Sequence, residues 1–308
     1  MPFLYDRIKI KSSGGAEIEG LGILGYEGPA RKLNVPETIE GIPVISIGKR
    51  AFTDQNKGLE EIALPKTILA IQSFSFYFCD TLRKIKLYDH VEDYYDGAIR
   101  TSSGICDVEI EMLDGRYELI RRILDDSDRR MRILFRFPDY ALQLVFPDYH
   151  SNSIEDTRAQ TFHIRIEGSG FSYRECVRKD GIRIKEYDSL FRRALSADNP
   201  EISISIAAGR LMYPAELSET EANVYRDHLR AEMPRALEMA MKPENEDWAE
   251  LFMREALLDD EALDLALQLA SERKQIALTG QLMDYRSRVL GIKKREKLSL
   301  ASLDDFDF

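Results

Sequence analysis

Two stretches of this chain superimpose at a fixed offset of 23 residues. Ile62, Leu64, Ile68, Ile71 and Phe76 recur as Ile85, Leu87, Val91, Tyr94 and Ile99. An earlier copy, Leu33 and Val35, Val44 to Ile47, Ala51-Phe52 and Leu59, is lengthened by an insertion around residues 40–43. Apolar residues two apart, a turn, then a second apolar pair cannot be buried within one copy. Copies of that size must stack, each adding a short strand to a shared inward column. Ile71 and Phe76 are expected in that column. The third copy has Ser102 where the second has Cys79, which marks it as close to the end of the stack.

The residues at these positions carry a resemblance. Val35-Pro36, the run Ser46-Ile47-Gly48-Lys49-Arg50-Ala51-Phe52, and Ser75-Phe76 followed by Cys79 and Leu82 are similar to the BspA-like leucine-rich repeats of bacteria. The stretch from Ile8 to Pro36 resembles that family's entry strands, so the likeness covers about residues 5–104. It implies a β-solenoid with a protein-binding or adhesive surface and no catalytic residues.

Beyond residue 104 the period changes. Val108 to Met112 alternates apolar with acid, and Met131 to Phe137 and Phe162 to Ile166 alternate apolar with base. Period two means one buried and one wet face, which predicts antiparallel strands over 105–184. Leu119 to Leu124 and Met131 to Phe137 flank the polar run Asp125 to Asp128 and read as a hairpin. The tetrad Phe-Pro-Asp-Tyr at 137–140 and 146–149 marks two chain turns. From about residue 185 the composition turns helical. Ser218 and Glu221 form a capping box, Pro234 suits a first helical turn, and Pro243 ends that helix. Apolar stripes follow: Trp248, Leu251, Phe252 and Ala256; then Leu263, Ala266, Leu267 and Ala270; then Leu278, Leu282, Tyr285 and Val289. The predicted fold class is therefore α+β and multidomain. It comprises a short BspA-like leucine-rich β-solenoid over 1–104, a small antiparallel β-domain over 105–184, a helical-hairpin domain over 185–292 and a tail over 293–308.

Charge narrows the partners. The 308 residues hold 43 bases and 54 acids, a net charge of −11, and a negative field repels phosphate backbones and anionic lipid. The basic cluster of Arg121, Arg122, Arg129, Arg130, Arg132 and Arg136 has Asp125, Asp126 and Asp128 in its midst, so it reads as a mixed-charge hairpin. Residues 241–264 hold nine acids against Lys242 and Arg254, either a solvated helix face or a docking face for a basic partner. No apolar run approaches membrane-spanning length. No leader-like segment opens the sequence, so a cytoplasmic location is expected, with neither nucleic acid nor membrane as a partner.

Chemistry is sparse. His90, His150, His163 and His228 lie too far apart in sequence for a helical ligand pair. Cys79, Cys106 and Cys176 are odd in number and widely spaced, which predicts neither disulfides nor a metal site. Cys176 has Arg174 beside it, a base able to activate a thiol, yet no nucleophile signature surrounds it, and it reads as a buried structural residue. No phosphate-binding loop or nucleophile elbow occurs. No cofactor and no catalytic residue is assigned. The expected function is a non-enzymatic, cytoplasmic protein-protein interaction module, an adaptor or scaffold. The alternatives are a subunit of a larger assembly, such as a phage-tail-like particle, and an enzyme whose site sequence does not reveal.

One candidate partner-binding element remains. Asp304, Asp305, Phe306 and Phe308 close the sequence after the basic run 293–297. Acids would steer such a segment to a basic surface, where the rings fill apolar positions and a terminal carboxylate fixes register. It resembles the acidic, Phe-ending tails by which bacterial single-stranded-DNA-binding proteins recruit partners. Its expected partner is another protein or a second copy of this chain, as a homo-oligomer; the alternative is a solubilising tail.

Overall fold

The computed structural model describes residues 2–53, 58–100, 102–156 and 161–290; of 152–156, 161–165, 289 and 290 only the backbone is described. Two compact units emerge, residues 1–202 with 213–217, and 203–212 with 218–308.

The first unit opens on an antiparallel hairpin, β1 (Phe3–Lys11) and β2 (Glu17–Tyr26). The chain then coils. One turn carries β3 (Lys32–Asn34), β4 (Thr38–Ile39), β5 (Ile42–Ile47) and β6 (Phe52–Thr53). The next carries β7 (Glu61–Ala63), β8 (Ala70–Ile71) and β9 (Phe76–Tyr77), and a third β10 (Lys84–Tyr88) and β11 (Asp93–Tyr94). The insertion at 40–43 is the tight β4–β5 antiparallel pair. Because each turn returns the chain in the same direction one strand further on, like strands pair in parallel. Leu33, Ile62 and Ile85 share one inward column, Ile47, Ile71 and Tyr94 a second, all buried. Phe52 and Phe76 stack at a third corner, centroids 5.6 Å apart and planes 8° from parallel.

The coil continues past residue 104. β12 (Asp107–Glu111) pairs in parallel with β10 and with β13 (Met131–Arg136), extending the stack to about five turns. The expectation of an antiparallel strand at Val108 to Met112 is thereby corrected: a solenoid strand with a wet outer face has the same period of two. Leu119 to Leu124 is likewise no strand but lies in α1 (Tyr117–Asp125), whose buried Leu119, Ile120, Ile123 and Leu124 form one helical face. The antiparallel reading holds for β13 with β14 (Ala141–Phe146), joined through the first Phe-Pro-Asp-Tyr turn, and for the backbones of β15 (His150–Asp156) and β16 (Thr161–Glu167). Nothing of the His163 side chain is described.

Buried polar groups close the end of the stack. The Asp89 carboxylate, fully buried, accepts the backbone N–H groups of Leu113, Asp114, Gly115 and Arg116 and so fixes the turn into α1. Buried Asp126 accepts from Tyr94 Oη at 2.9 Å and from the N–H groups of Gly97 and Ile99. Ser102 donates its hydroxyl to the Phe76 carbonyl and accepts from the Cys79 N–H, repairing the ladder where the repeat degenerates. After α2 (Gly170–Arg174) and a short pair, β17 (Val177–Arg178) and β18 (Gly181–Ile182), come α3 (Ile184–Ser189) and α4 (Phe191–Ala197). α2 approaches β14 so closely that a Cβ on Gly170 would lie 2.1 Å from the Pro147 carbonyl oxygen, so only glycine fits. Tyr187 Oη both donates to the Val145 carbonyl and accepts its N–H, satisfying the outer edge of β14 with a side chain.

α5 (Pro200–Met212) leads into the helical unit, with α6 (Glu219–Ala231), α7 (Met233–Ala240), α8 (Trp248–Arg254), α9 (Asp260–Glu272) and α10 (Ile276–Tyr285). Ser218 caps α6 by accepting the Glu221 N–H, Pro234 sits in the first turn of α7, and Asp259 caps α9 by accepting from Ala262. Trp248, Leu251 and Phe252 are buried as expected. Ala256 is not part of that stripe: α8 ends before it, and its left-handed φ of 51° turns the residue outward. α9 and α10 form the expected hairpin through Leu263, Ala266, Ala270, Leu282 and Tyr285.

Candidate interaction surface

Two surfaces of the stack differ sharply in chemistry. Along the wet face of the β3–β7–β10–β12–β13 ladder, opposite charges interlock. Glu61 binds Lys32 at 3.1 Å and Lys86 at 3.0 Å. Glu109 binds Lys84 at 2.7 Å and Arg136 at 2.5 Å, and Asp107 binds Arg132 at 2.5 Å. Burial pushes the Glu109 carboxyl up, but Lys84 and Arg136 more than reverse this and hold it below the usual carboxylate range. The acids that pair with Arg132 and Arg136 are thus Asp107 and Glu109 on the neighbouring strand β12, rather than the Asp125, Asp126 and Asp128 that the sequence places among them. Each such pair contributes little to stability, but together they fix register and leave the face internally compensated.

The second surface is the corner after β5 and β8. Arg50, Phe74 and Gly97 occupy equivalent places in successive turns, with φ of 57°, 58° and 82°. The Arg50 N–H donates to Phe74 O and the Phe74 N–H to Gly97 O, both at 3.2 Å. Glycine takes a left-handed φ freely, whereas a side chain there costs about 1 kcal/mol. Phe78 is left-handed too, at 54°. The strained residues present an aromatic group: Phe74 and Tyr77 meet edge-on at 5.9 Å, Tyr77 and Phe78 at 4.3 Å, and the Arg50 guanidinium lies 4.8 Å above the Tyr77 ring. Phe78 is 49% exposed. Aromatic rings beside an arginine, pre-set by the backbone, are the groups that dominate protein interfaces. In the sequence these residues look like part of the repeat. The signal is surplus: the repeat needs Phe76 and Cys79, and leaves Phe74, Tyr77 and Phe78 without an inward place.

The remaining candidates carry less. A cleft of about 570 Å³ in the first unit is lined by both signs of charge, Arg129, Arg130 and His150 beside Asp128 and Asp148, with Cys106. Burial, helped by Asp107, pushes the Cys106 thiol up to about 11, the wrong direction for a nucleophile. Cys176 is pushed up to about 12 by burial. Arg174 does not activate it, being spent on the carbonyls of Leu124, Ser127, Arg129, Pro147 and Gly170. Cys79 fills the stack. Asp89, His90 and Asp114 come close enough to share a metal ion, but the Asp89 oxygens already face four N–H groups and Arg116 Nε lies 3.4 Å from Asp114. His90 Nδ1 pairs with Asp114 at 2.6 Å, and His228 Nε2 lies 3.0 Å from Ser203 Oγ. A second cleft, about 590 Å³ along α7 and the start of α9, places Asp259, Asp260 and Glu261 beside Met233 and Leu265. Asp304, Asp305, Phe306 and Phe308 lie outside the described residues.

Residues 31–114 match the family model described as a BspA type leucine rich repeat region (6 copies). The N-terminal stack is a BspA-type leucine-rich repeat region. Its family is typically non-enzymatic, and repeats of this kind suggest a protein-interaction module. The match carries the region beyond residue 104. No curated protein matches the chain. A leucine rich cell surface protein from Faecalibacterium prausnitzii A2-165 is 24% identical with a TM-score of 0.27, over 36% of this chain and 32% of that one. A leucine-rich repeat protein from Bacteroides capillosus is 19% identical with a TM-score of 0.24, over 35% and 94%. The leucine rich repeat protein of T. pallidum is 17% identical with a TM-score of 0.23, over 35% and 68%. The chain thus spans about a third of the length of the first of these.

Proposed function

We propose that this BspA-type chain is a non-enzymatic protein-binding module, an adaptor or scaffold, which holds its partner at the corner formed by Arg50, Phe74, Tyr77 and Phe78. The observation that carries this reading is the left-handed backbone at Phe74 and Phe78. A stack gains nothing from placing aromatic side chains where glycine is cheapest, and strain of this kind persists where binding uses it. The compensated charge ladder supports the corner over the sheet face, since bases already paired offer little to an incoming partner. Thiols raised by burial support the non-enzymatic part of the reading. Three free cysteines are in keeping with a reducing, cytoplasmic setting.

The test is the double variant Tyr77→Ser with Phe78→Ser. Both rings lie outside the inward columns, so stability should change by less than about 1 kcal/mol. Proteins retained by the immobilised wild-type chain from its native cell should be lost from the variant. Retention of the same proteins by a folded double variant would remove the corner from the account.

A further inference from the structure

β1 ends its sheet and, among the described residues, pairs with β2 alone, leaving one edge of a nine-residue strand without a neighbour. On its paired edge the rule of recognition is plain. Lys11, Ile10 and Lys9 stand opposite Glu17, Ile18 and Glu19 in antiparallel register, and Lys9 Nζ reaches both Glu19, at 2.5 Å, and Glu17, at 3.6 Å. A basic–apolar–basic strand has chosen an acid–apolar–acid neighbour. Arg7 and Lys11 enter no ion pair among the described residues, and Ile8 and Ile10 are only half-buried. The free edge therefore presents one basic row, Arg7, Lys9 and Lys11, and one apolar row with Ile8 and Ile10. Residues on the two rows alternate because side chains alternate along a strand.

Glu109-Ile110-Glu111 repeats the pattern of Glu17 to Glu19 but is already paired on both sides, by β10 and β13; a further segment with this pattern closes the sequence. Asp305, Phe306, Asp307 and Phe308 alternate acid with aromatic, and they belong to no described element. We propose that residues 303–308 of a second copy of this chain add to the free edge of β1 as an antiparallel strand. Asp305 then stands opposite Lys11, Phe306 opposite Ile10, Asp307 opposite Lys9 and Phe308 opposite Ile8. Backbone hydrogen bonds hold the strand, while the alternating side chains select it. The parallel register that sets Asp305 against Arg7 and Asp307 against Lys9 is disfavoured because it places Asp304 against Asp6. Such a contact uses different surfaces on the two copies, so association is head-to-tail, forming a ring if the geometry closes and an open chain if it does not. This inference is separate from the aromatic corner, which lies on another part of the stack and stands or falls by its own variant.

The experiment uses a labelled peptide of residues 298–308 and the chain shortened to residue 297. The peptide should bind saturably. Lys11→Glu, which breaks no ion pair in the folded chain, should weaken it about five-fold and leave the melting temperature unchanged. A peptide carrying Asp305→Lys should bind the Lys11→Glu chain better than it binds the unaltered one, which a nonspecific charge effect spread over the whole strand would not confine to this pair. Sedimentation of the full chain should show association that rises with concentration and is lost on removing residues 303–308. Absence of peptide binding, binding indifferent to Lys11→Glu, or a full chain that stays monomeric would each overturn the proposal.

Discussion

Phe76→Asp should abolish cooperative folding of the first unit. Phe76 is 1% exposed and stacks on Phe52 in the repeat's third column. An aspartate there either buries an unpaired carboxylate or must neutralise itself, and it also empties the volume of a ring. The sum, at least about 5 kcal/mol, is comparable with the whole stability of an ordinary domain. The control lies two residues away. Phe78→Asp replaces a half-exposed ring in a left-handed conformation that aspartate tolerates better than phenylalanine, so stability should stay within about 0.5 kcal/mol. Circular dichroism melts of the two variants decide the register. Equal melting temperatures would mean that the inward column has been assigned to the wrong residues.

Arg174→Met carries the second large effect. The Arg174 guanidinium is buried, lies 4.9 Å from the Tyr149 ring centre and donates to five carbonyls, at distances from 2.6 Å to Pro147 to 3.3 Å to Leu124. Those carbonyls come from the end of α1, the turn before β13, the end of β14 and the start of α2, so one side chain ties together the closing turns of the stack. Burial lowers its affinity for a proton, to a pKa of about 10, yet leaves it charged at neutral pH. Methionine keeps much of the volume and strands the carbonyls. The expected loss is about 3–5 kcal/mol, a fall in melting temperature of roughly 10 °C for a unit of this size. Arg174→Lys should recover only a small part, because an ammonium has three donors and no fork. A Met variant that melts with the wild type would show that water replaces the guanidinium at no cost.

What the sequence made legible follows from where burial is periodic. Ile62, Leu64, Ile85 and Leu87 repeat because each fills the same slot of the stack, and that slot is visible at a 23-residue offset. Val108 and Ile110 keep the same offset from Ile85 and Leu87, so the fourth turn was equally readable. Reading it as an antiparallel strand came from the alternation with Glu109 and Glu111, which a wet solenoid face produces just as well. α1 hid the continuation by replacing the second strand of its turn with a helix. Its pattern of Leu119, Ile120, Ile123 and Leu124 was the available sign, since neighbours at one and four residues share a helical face. The cap at Ser218 was legible because it acts locally. Of the aromatic corner the sequence shows only the surplus of Phe74, Tyr77 and Phe78; its defining property is the sign of φ at Arg50, Phe74 and Phe78, set by the coil around them rather than by their own preferences.

The central claim is that a partner protein sits on that corner and not on the charge ladder. A photo-crosslinking phenylalanine analogue placed at Tyr77 tests it directly, with the same analogue at Lys86 on the ladder as the comparison. In the native cell the Tyr77 probe should yield a discrete higher-mass adduct that disappears when Phe78→Ser is added, while the Lys86 probe yields none. Adducts from Lys86 alone, or from neither position in a folded chain, would contradict the account.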